Sequence, residues 1–203
     1  HTKDQLRKAF GIAKQVSFWV VMEEHLDGSV YRATMIDGKL AGVLRGDPPR
    51  VLGDGISTIS QLVGRKNKVR HKKVSEIILD ERHRDFLART GRDFGTVPAA
   101  GETIDILASI GVSYGGYSKD VTEKTDAATK RIMEAAAAVV ADPIIGFDFI
   151  IGDIERTPLN QRWGIIECNS TPFINLHHDP VEGSPINIAK YVWDYVEGNL
   201  DRY

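Results

Sequence analysis

Three oxygen-bearing side chains interrupt two apolar segments in the last third of this 203-residue chain. Asp148 lies within IIGFDFIIGDI, whereas Glu167 and Asn169 lie within RWGIIECN. Both segments predict strands, and residues two apart in a strand project from the same face. If the strands are neighbours, the three oxygen donors converge on one patch. Such a set suits Mg²⁺, which keeps part of its shell for waters and substrate phosphates.

An ion pair is the alternative explanation for the two carboxylates. An isolated buried carboxylate costs several kcal/mol, so each acid needs a partner, and an arginine would serve for Asp148 or Glu167. For one acidic residue in a strand, that structural interpretation is favoured. The whole pattern, an aspartate followed about twenty residues later by E-x-N-x-x-P, favours the metal.

Composition and charge exclude several functional classes. A formal charge of -2 provides no basic field for a nucleic acid, and no segment reaches the roughly 18 apolar residues of a membrane span. The single Cys168 excludes an internal disulfide and a multi-cysteine zinc site, and it indicates a reducing cytoplasm. Because Cys168 projects from the strand face opposite Glu167 and Asn169, we expect it in the core. The chain begins with His1 and shows no signal peptide, which indicates a piece of a longer protein.

The remaining pattern predicts mixed α+β structure with a largely antiparallel sheet flanked by helices. An Asp37-Gly38 hairpin joins two β-rich halves of residues 30–46, and residues 126–142 form an alanine-rich helix with Ile132, Ala136 and Val139 as its apolar stripe. Further helices are predicted at 3–15, from Ser57 or Thr58 to about 65, and at 80–90 and 185–199. Further strands are predicted at 18–26, within 96–109, at 144–154 and at 162–169. The basic stretch 64–73 and the glycine- and serine-rich stretch 111–126 are predicted loops.

Four motifs, in order, resemble the ATP-grasp superfamily, closest in style to cyanophycin synthetases and glutathione-synthetase-like ligases. They are VVMEEHLDGSVYR, GKLAGVLRGDPPRVLGDGISTISQL, SYGGYSKDVT and GFDFIIGDIERTPLNQRWGIIECNSTPFINLHH. Together they cover essentially the whole chain. The resemblance implies that residues 1–28 end the central ATP-grasp subdomain with its adenine hinge, and that residues 29–203 form the C-terminal subdomain. The rest of the fold would lie upstream of residue 1.

The implied activity is that of a carboxylate-amine ligase. ATP would phosphorylate a substrate carboxylate, and an amine would attack the resulting acyl phosphate to form an amide. The resemblance assigns catalytic contacts with the phosphates to Arg32 and Arg45, adenine binding to Glu23, Glu24, His25 and Leu26, and one or two Mg²⁺ ions, with Mn²⁺ as an alternative, to Asp148, Glu167 and Asn169. It places Ser113, Gly115, Gly116, Phe173 and His177 towards the acceptor, an amino acid or a short peptide.

Several departures from the family pattern keep other interpretations open. The family's lysine-bearing strand and glycine-rich phosphate loop are absent, and LASIG (107–111) lacks the arginine and asparagine expected before SYGG. A non-catalytic nucleotide-binding or interaction module is therefore the alternative. Phe173 replaces a usual glycine, and His177 is either an acceptor-site group or a structural histidine. Zinc at His177 and His178 is disfavoured because adjacent extended residues point apart. The oligomeric state, a homo-oligomer included, stays open.

Overall fold

The computed structural model describes residues 2–202 and shows the predicted α+β architecture. Its strands are β1 (Ser29–Ile36), β2 (Lys39–Asp47), β3 (Arg50–Leu52), β4 (Thr103–Asp105), β5 (Tyr117–Asp120), β6 (Ile144–Ile151) and β7 (Trp163–Asn169). Its α-helices are α1 (Lys3–Val16), α2 (Ile59–Val69), α3 (Glu81–Ala88), α4 (Ala127–Val140), α5 (Asn175–His178) and α6 (Ile188–Glu197). Five strands form one antiparallel sheet in the order β5-β2-β1-β6-β7, and β3 pairs with β4.

The β1–β2 hairpin at the centre of the sheet has the predicted two-residue turn. Asp37 and Gly38 adopt φ values of 50° and 71°. Positive φ at both turn positions matches the right-handed twist of the flanking strands, and it explains why an Asp-Gly pair occupies them. The prediction of this hairpin is confirmed.

The two faces of the five-stranded sheet pack against different parts of the chain. On the face called here the core face, α4 covers a cluster that includes Tyr31, Met35, Val43, Phe147 and Phe149. The opposite face is approached by α5 and by the start of α6, because a Cβ on Gly42 would meet His177 and Ile188. A second cluster joins α2, α3 and the β3–β4 pair, with Ile59, Leu87 and Ile106 among its buried members.

The helix α4 forms where the alanine-rich sequence predicts it. Asp126 caps its first turn, and Ala141 ends it in the left-handed region ahead of Pro143. Its buried positions are Thr129, Met133 and Ala137, whereas Val139 is 86% exposed. Ala136 of the predicted stripe packs against the core cluster, but the fully buried positions lie one residue away, because an alanine-rich helix offers more than one stripe at helical spacing.

Other expected elements need correction. Residues 18–26 form no strand, and Phe18 and Trp19 are 77% and 82% exposed, because no described strand pairs with them. The basic stretch is not simply a loop, since α2 continues to Val69. The glycine- and serine-rich stretch contains the 3-10 helix Val112–Tyr114 as well as β5. None of the described helices has both the length and the apolar character that crossing a membrane requires.

Candidate active site

One row of side chains crosses the whole five-stranded sheet. Asp120 on β5 lies opposite Leu44 on β2, Leu44 opposite Arg32 on β1, Arg32 opposite Asp148 on β6, and Asp148 opposite Glu167 on β7. Directly opposed residues of antiparallel strands share a face. All five therefore project from the face opposite α4, which we call the site face. The pairing of β6 with β7, on which the predicted convergence of carboxylates depended, is present.

Arg32 and Asp148 form a two-pronged ion pair in this row. Arg32 Nε donates to Asp148 Oδ1 at 2.7 Å, and its second nitrogen, Nη2, donates to Oδ2 at 2.6 Å. The side chains are 25% and 14% exposed, so water screens the pair only partly. Hydrogen bonding to Asp148 raises the pKa of Arg32 against the effect of burial, and the charge of Glu167 adds to the rise. The ion-pair interpretation thus holds for Asp148.

Glu167 and Asn169, unlike Asp148, have polar atoms without a protein partner in the part of the chain that the structure describes. Within residues 2–202 no hydrogen bond or ion pair reaches the exposed Glu167 carboxylate, although its charge acts on Arg32. Asn169 lies opposite Gly146, one position along β6 from the row, and its buried Nδ2 atom has no hydrogen-bond partner. Buried polar atoms are normally satisfied by protein, water or a ligand. Glu167 therefore has an acceptor carboxylate, and Asn169 an amide N–H donor, left for a bound group.

The three residues fit a hard divalent cation. Glu167 offers an open carboxylate, and each Asp148 oxygen keeps a lone pair beyond its bond from Arg32. The Asn169 amide supplies a third oxygen donor, and oxygen-only sets of this size suit Mg²⁺. In the described chain, no group of three or more His, Cys, Asp and Glu side chains is placed to hold a metal ion, so a metal here depends on the asparagine.

A β-bulge sets the register that brings Glu167 opposite Asp148. Phe149 pairs with Ile165 and Asp148 pairs with Glu167, which leaves Ile166 as an extra residue on β7. Without the bulge, Ile166 would face Asp148 and the glutamate would turn to the core face, because side chains alternate along a strand.

Cys168 is exposed rather than buried in the core, so that expectation is wrong. It does lie opposite Phe147, on the core face. However, β7 is an edge strand, and α4 packs over β1 and β2 instead. Trp163 at the start of β7 still packs against the core cluster, but Ile165 on that side, like the bulged Ile166, is exposed.

The structure does not place the two predicted phosphate arginines side by side. Arg45 lies opposite Tyr31, a member of the core-face cluster, so it projects from the opposite face to Arg32. Its Nε atom donates to Asp47 Oδ1 at 3.1 Å. Only Arg32 therefore shares a face with the acidic residues.

The predicted adenine-binding residues lie beside the start of β7. Glu23, Glu24 and His25 are exposed, and Glu24 forms an ion pair with Arg162. Leu26 approaches Gly164 so closely that a Cβ on that glycine would lie 3.0 Å from Leu26 Cδ1. This segment has no regular secondary structure, and it contacts the start of β7 through Leu26.

The two glycines of the SYGG motif are required by packing. Gly115 has φ +81°, and a Cβ there would lie 2.2 Å from Ile77 Cγ1. A Cβ on Gly116 would lie 2.3 Å from the Asp47 carbonyl oxygen. Ser113 is exposed at the surface of this loop. Close backbone packing accounts for the glycine pair without a bound anion.

The segment after β7 folds back over the site face. Pro172 packs on Gly146, where a Cβ would lie 2.8 Å from the proline Cβ, and Phe173 is 61% exposed. His177 is fully buried, with Nε2 2.8 Å from Thr34 Oγ1 and no partner for Nδ1. Burial, assisted by the charges of His178 and Arg32, lowers the pKa of His177 to about 4. This is the environment that the structural interpretation of the histidine predicts.

A cavity of about 290 Å³ opens on the site face beside the ion pair. Leu44, Ile110, Val112 and Leu176 form apolar walls, Arg32 and Asp148 form a polar one, and Arg45 is also part of the lining. None of the five residues expected at the acceptor lines it. Sequence reasoning missed Ile110, Val112 and Leu176, although each is within three positions of an expected acceptor residue.

Comparisons with known proteins give matches over nearly the whole chain. The glutathione biosynthesis bifunctional protein GshAB of Clostridium perfringens is 33% identical over 200 residues, which are 96% of this chain and 26% of the relative. The cyanophycin synthetase of Trichormus variabilis is 30% identical over 203 residues, which are 97% of this chain and 22% of the relative. A crystal structure of a bifunctional glutathione synthetase from Pasteurella multocida superposes with a TM-score of 0.65 at 25% identity, over 86% of this chain and 25% of that one. No family model matches the chain.

These matches confirm the resemblance that the motifs indicate: the chain is related to the ATP-grasp carboxylate-amine ligases. Its α+β fold corresponds to one segment of the solved relative. The chain spans about a quarter of the length of the curated relatives it matches.

Proposed function

We propose that the protein containing this chain is a carboxylate-amine ligase that forms an amide bond at the expense of ATP, through an acyl phosphate. The observation that carries the proposal is the row of Arg32, Asp148 and Glu167 on one face of a sheet related to those ligases. We assign residues 1–28 to the end of the central subdomain and residues 29–203 to the C-terminal one. An amino acid or short peptide is the proposed acceptor, and the unpaired Cys168 suits a reducing cytoplasm.

Asp148, Glu167 and Asn169 are the residues that would hold one or two Mg²⁺ ions, with Mn²⁺ as an alternative. When bound, the metal offsets negative charge on the phosphate oxygens of ATP. Arg32 contributes directly from the same face. Its bonds to Asp148 use Nε and Nη2, which leaves the Nη1 hydrogens to donate to a phosphate oxygen in a fixed orientation. Asp148 thereby positions the guanidinium, and we assign the phosphate contact on this face to Arg32 rather than Arg45.

Turnover assays test the proposal. The full-length protein with Mg²⁺ and ATP should release ADP faster when a suitable amino acid or short peptide is supplied. Glu167→Gln should remove most of that stimulation, because it takes away the open carboxylate of the site. Glu76→Gln is a matched control, since Glu76 is exposed and lies outside the row. Loss of activity in both variants, or in neither, would contradict the assignment of Glu167.

The Arg32–Asp148 pair also favours a second candidate, a non-catalytic module that binds nucleotide or a partner. In this case the arginine serves to neutralise Asp148, and the row is structural. Binding of an ATP analogue without ADP release for any amino acid or peptide supplied would support the module and exclude the ligase.

A further inference from the structure

The cavity beside the ion pair has the size of a pocket for an amino acid. Its volume of about 290 Å³ is just below the roughly 300–1,000 Å³ typical of ligand sites. It is bordered by β1 and β2, by residues 110–112 and by Leu176. A compact group of atoms can therefore enter it beside the row that the proposed function uses.

The walls of the cavity favour the binding of an uncharged group. Leu44, Ile110, Val112 and Leu176 present hydrocarbon, and burying an unpaired charge against hydrocarbon is costly. Among the three charged residues in the lining, Arg32 and Asp148 neutralise each other, and Arg45, whose side chain projects from the core face, pairs with Asp47. The cavity therefore offers no net charge to an acidic or a basic side chain.

Close packing fixes both sides of the cavity. Ile110 sits on Gly46, where a Cβ would lie only 2.6 Å from Ile110 Cγ2. The loop behind it is closed by a hydrogen bond from the Gly116 backbone N–H to the Gly111 carbonyl at 3.0 Å. On the other side, the contact of His177 with Thr34 anchors the segment that carries Leu176. The pocket is thus formed before a ligand arrives.

From these observations we infer that the cavity holds the side chain of the acceptor amino acid and selects an uncharged, apolar one. The inference rests on the proposed function. An apolar side chain between Ile110 and Leu176 places the rest of the amino acid beside Arg32 and Asp148, next to the proposed phosphate and metal groups. Ile110, Val112 and Leu176 are then specificity-determining residues, and L-leucine and L-methionine represent the preferred class.

Binding can be measured without turnover. In the full-length protein with labelled methyl groups, NMR titration with L-leucine should shift the signals of Ile110, Val112 and Leu176, while L-aspartate and L-lysine should not. Equal shifts with L-aspartate, or no shift with either L-leucine or L-methionine, would overturn the inference. Shifts of the same methyl groups by an ATP analogue alone would assign the cavity to the nucleotide and would also overturn it.

Substitution at Ile110 sharpens the test. Ile110→Arg puts a guanidinium into the cavity, so the affinity for L-leucine should fall at least about tenfold and L-aspartate should begin to bind. Ile78→Arg is the matched control, because Ile78 is 75% exposed and does not line this cavity. Leu176→Ala, which only enlarges the cavity, replaces Ile110→Arg if that variant does not fold. The Leu176→Ala variant should bind L-phenylalanine more tightly, relative to L-leucine, than the unsubstituted protein does. An unchanged ratio of the two affinities would contradict the pocket.

The two proposals fail in different ways. If L-leucine binds in the cavity but no amino acid stimulates ADP release, the pocket stands and the ligase is refuted. If ADP release is stimulated by charged amino acids alone, with Ile110→Arg without effect, the ligase stands and the apolar pocket is refuted.

Discussion

The buried environment of His177 makes the stability of the protein depend on pH in a definite direction. Burial lowers the pKa of this histidine to about 4 in the folded protein, against about 6.5 in an unfolded chain. Between these values the unfolded state binds the proton and the folded state does not, so falling pH favours unfolding. The neutral, buried histidine therefore contributes its full share of the stability above pH 6.5, and this share is lost as the pH falls towards 4. Its full size is about 3 kcal/mol, a large part of the roughly 5–15 kcal/mol typical of a domain.

Urea unfolding at pH 7.5 and pH 4.5 measures this contribution through the difference between the protein and its His177→Gln variant. Carboxylates also titrate in this range, but they do so in both proteins and cancel in the comparison. Between pH 7.5 and pH 4.5 the free energy of unfolding should fall in both proteins. We expect this fall to be about 2.5 kcal/mol smaller in the variant than in the unsubstituted protein. His71→Gln, which removes an exposed histidine, should behave as the unsubstituted protein does. Equal pH dependence of the protein and His177→Gln would refute the reasoning.

Three further experiments test other parts of the structure. In urea unfolding, Arg32→Met should lower the free energy of unfolding by about 2 kcal/mol, because it leaves a mostly buried carboxylate unpaired. Adding Asp148→Leu should restore more than half of this loss, since neither charge of the pair then remains. Cys168 should react with a maleimide in the folded protein within about tenfold of its rate in urea, since it is exposed, and strong protection would contradict the open edge strand. Gly115→Ala should lower the free energy of unfolding by about 2 kcal/mol or more, because its Cβ would lie 2.2 Å from an isoleucine Cγ1 atom. Gly64→Ala, which has open space around it inside α2, should instead raise the free energy of unfolding by about 0.5–1 kcal/mol in the same assay.

Local sequence signals were sufficient for much of the fold. The Asp37-Gly38 pair specifies the hairpin because few residue pairs tolerate positive φ at both turn positions. The alanine-rich segment and its flanking Asp126 and Pro143 specify α4 in the same local way. Spacing also placed Glu167 and Asn169 on one face of one strand. Each of these features depends on residues close together in the chain.

What sequence could not supply depends on contacts between distant residues. The extra Ile166 in β7, which brings Glu167 opposite Asp148, has no signature in the sequence. Nor does the sequence show that α4 leaves the edge strand open, which is why Cys168 is exposed. The face from which Arg45 projects follows from strand register alone. Likewise, the choice of Arg32 as the partner of Asp148 became visible only once β1 and β6 were paired.

Calorimetric titration tests the central claim most directly. The full-length protein is titrated with a non-hydrolysable ATP analogue with and without Mg²⁺, and the experiment is repeated with the double variant Asp148→Asn plus Glu167→Gln. If these carboxylates hold the metal that accompanies ATP, the unsubstituted protein will bind the analogue in a Mg²⁺-dependent manner and the double variant will lose that dependence. Absence of binding, or binding of the same strength and Mg²⁺ dependence in the double variant, would contradict the site described here.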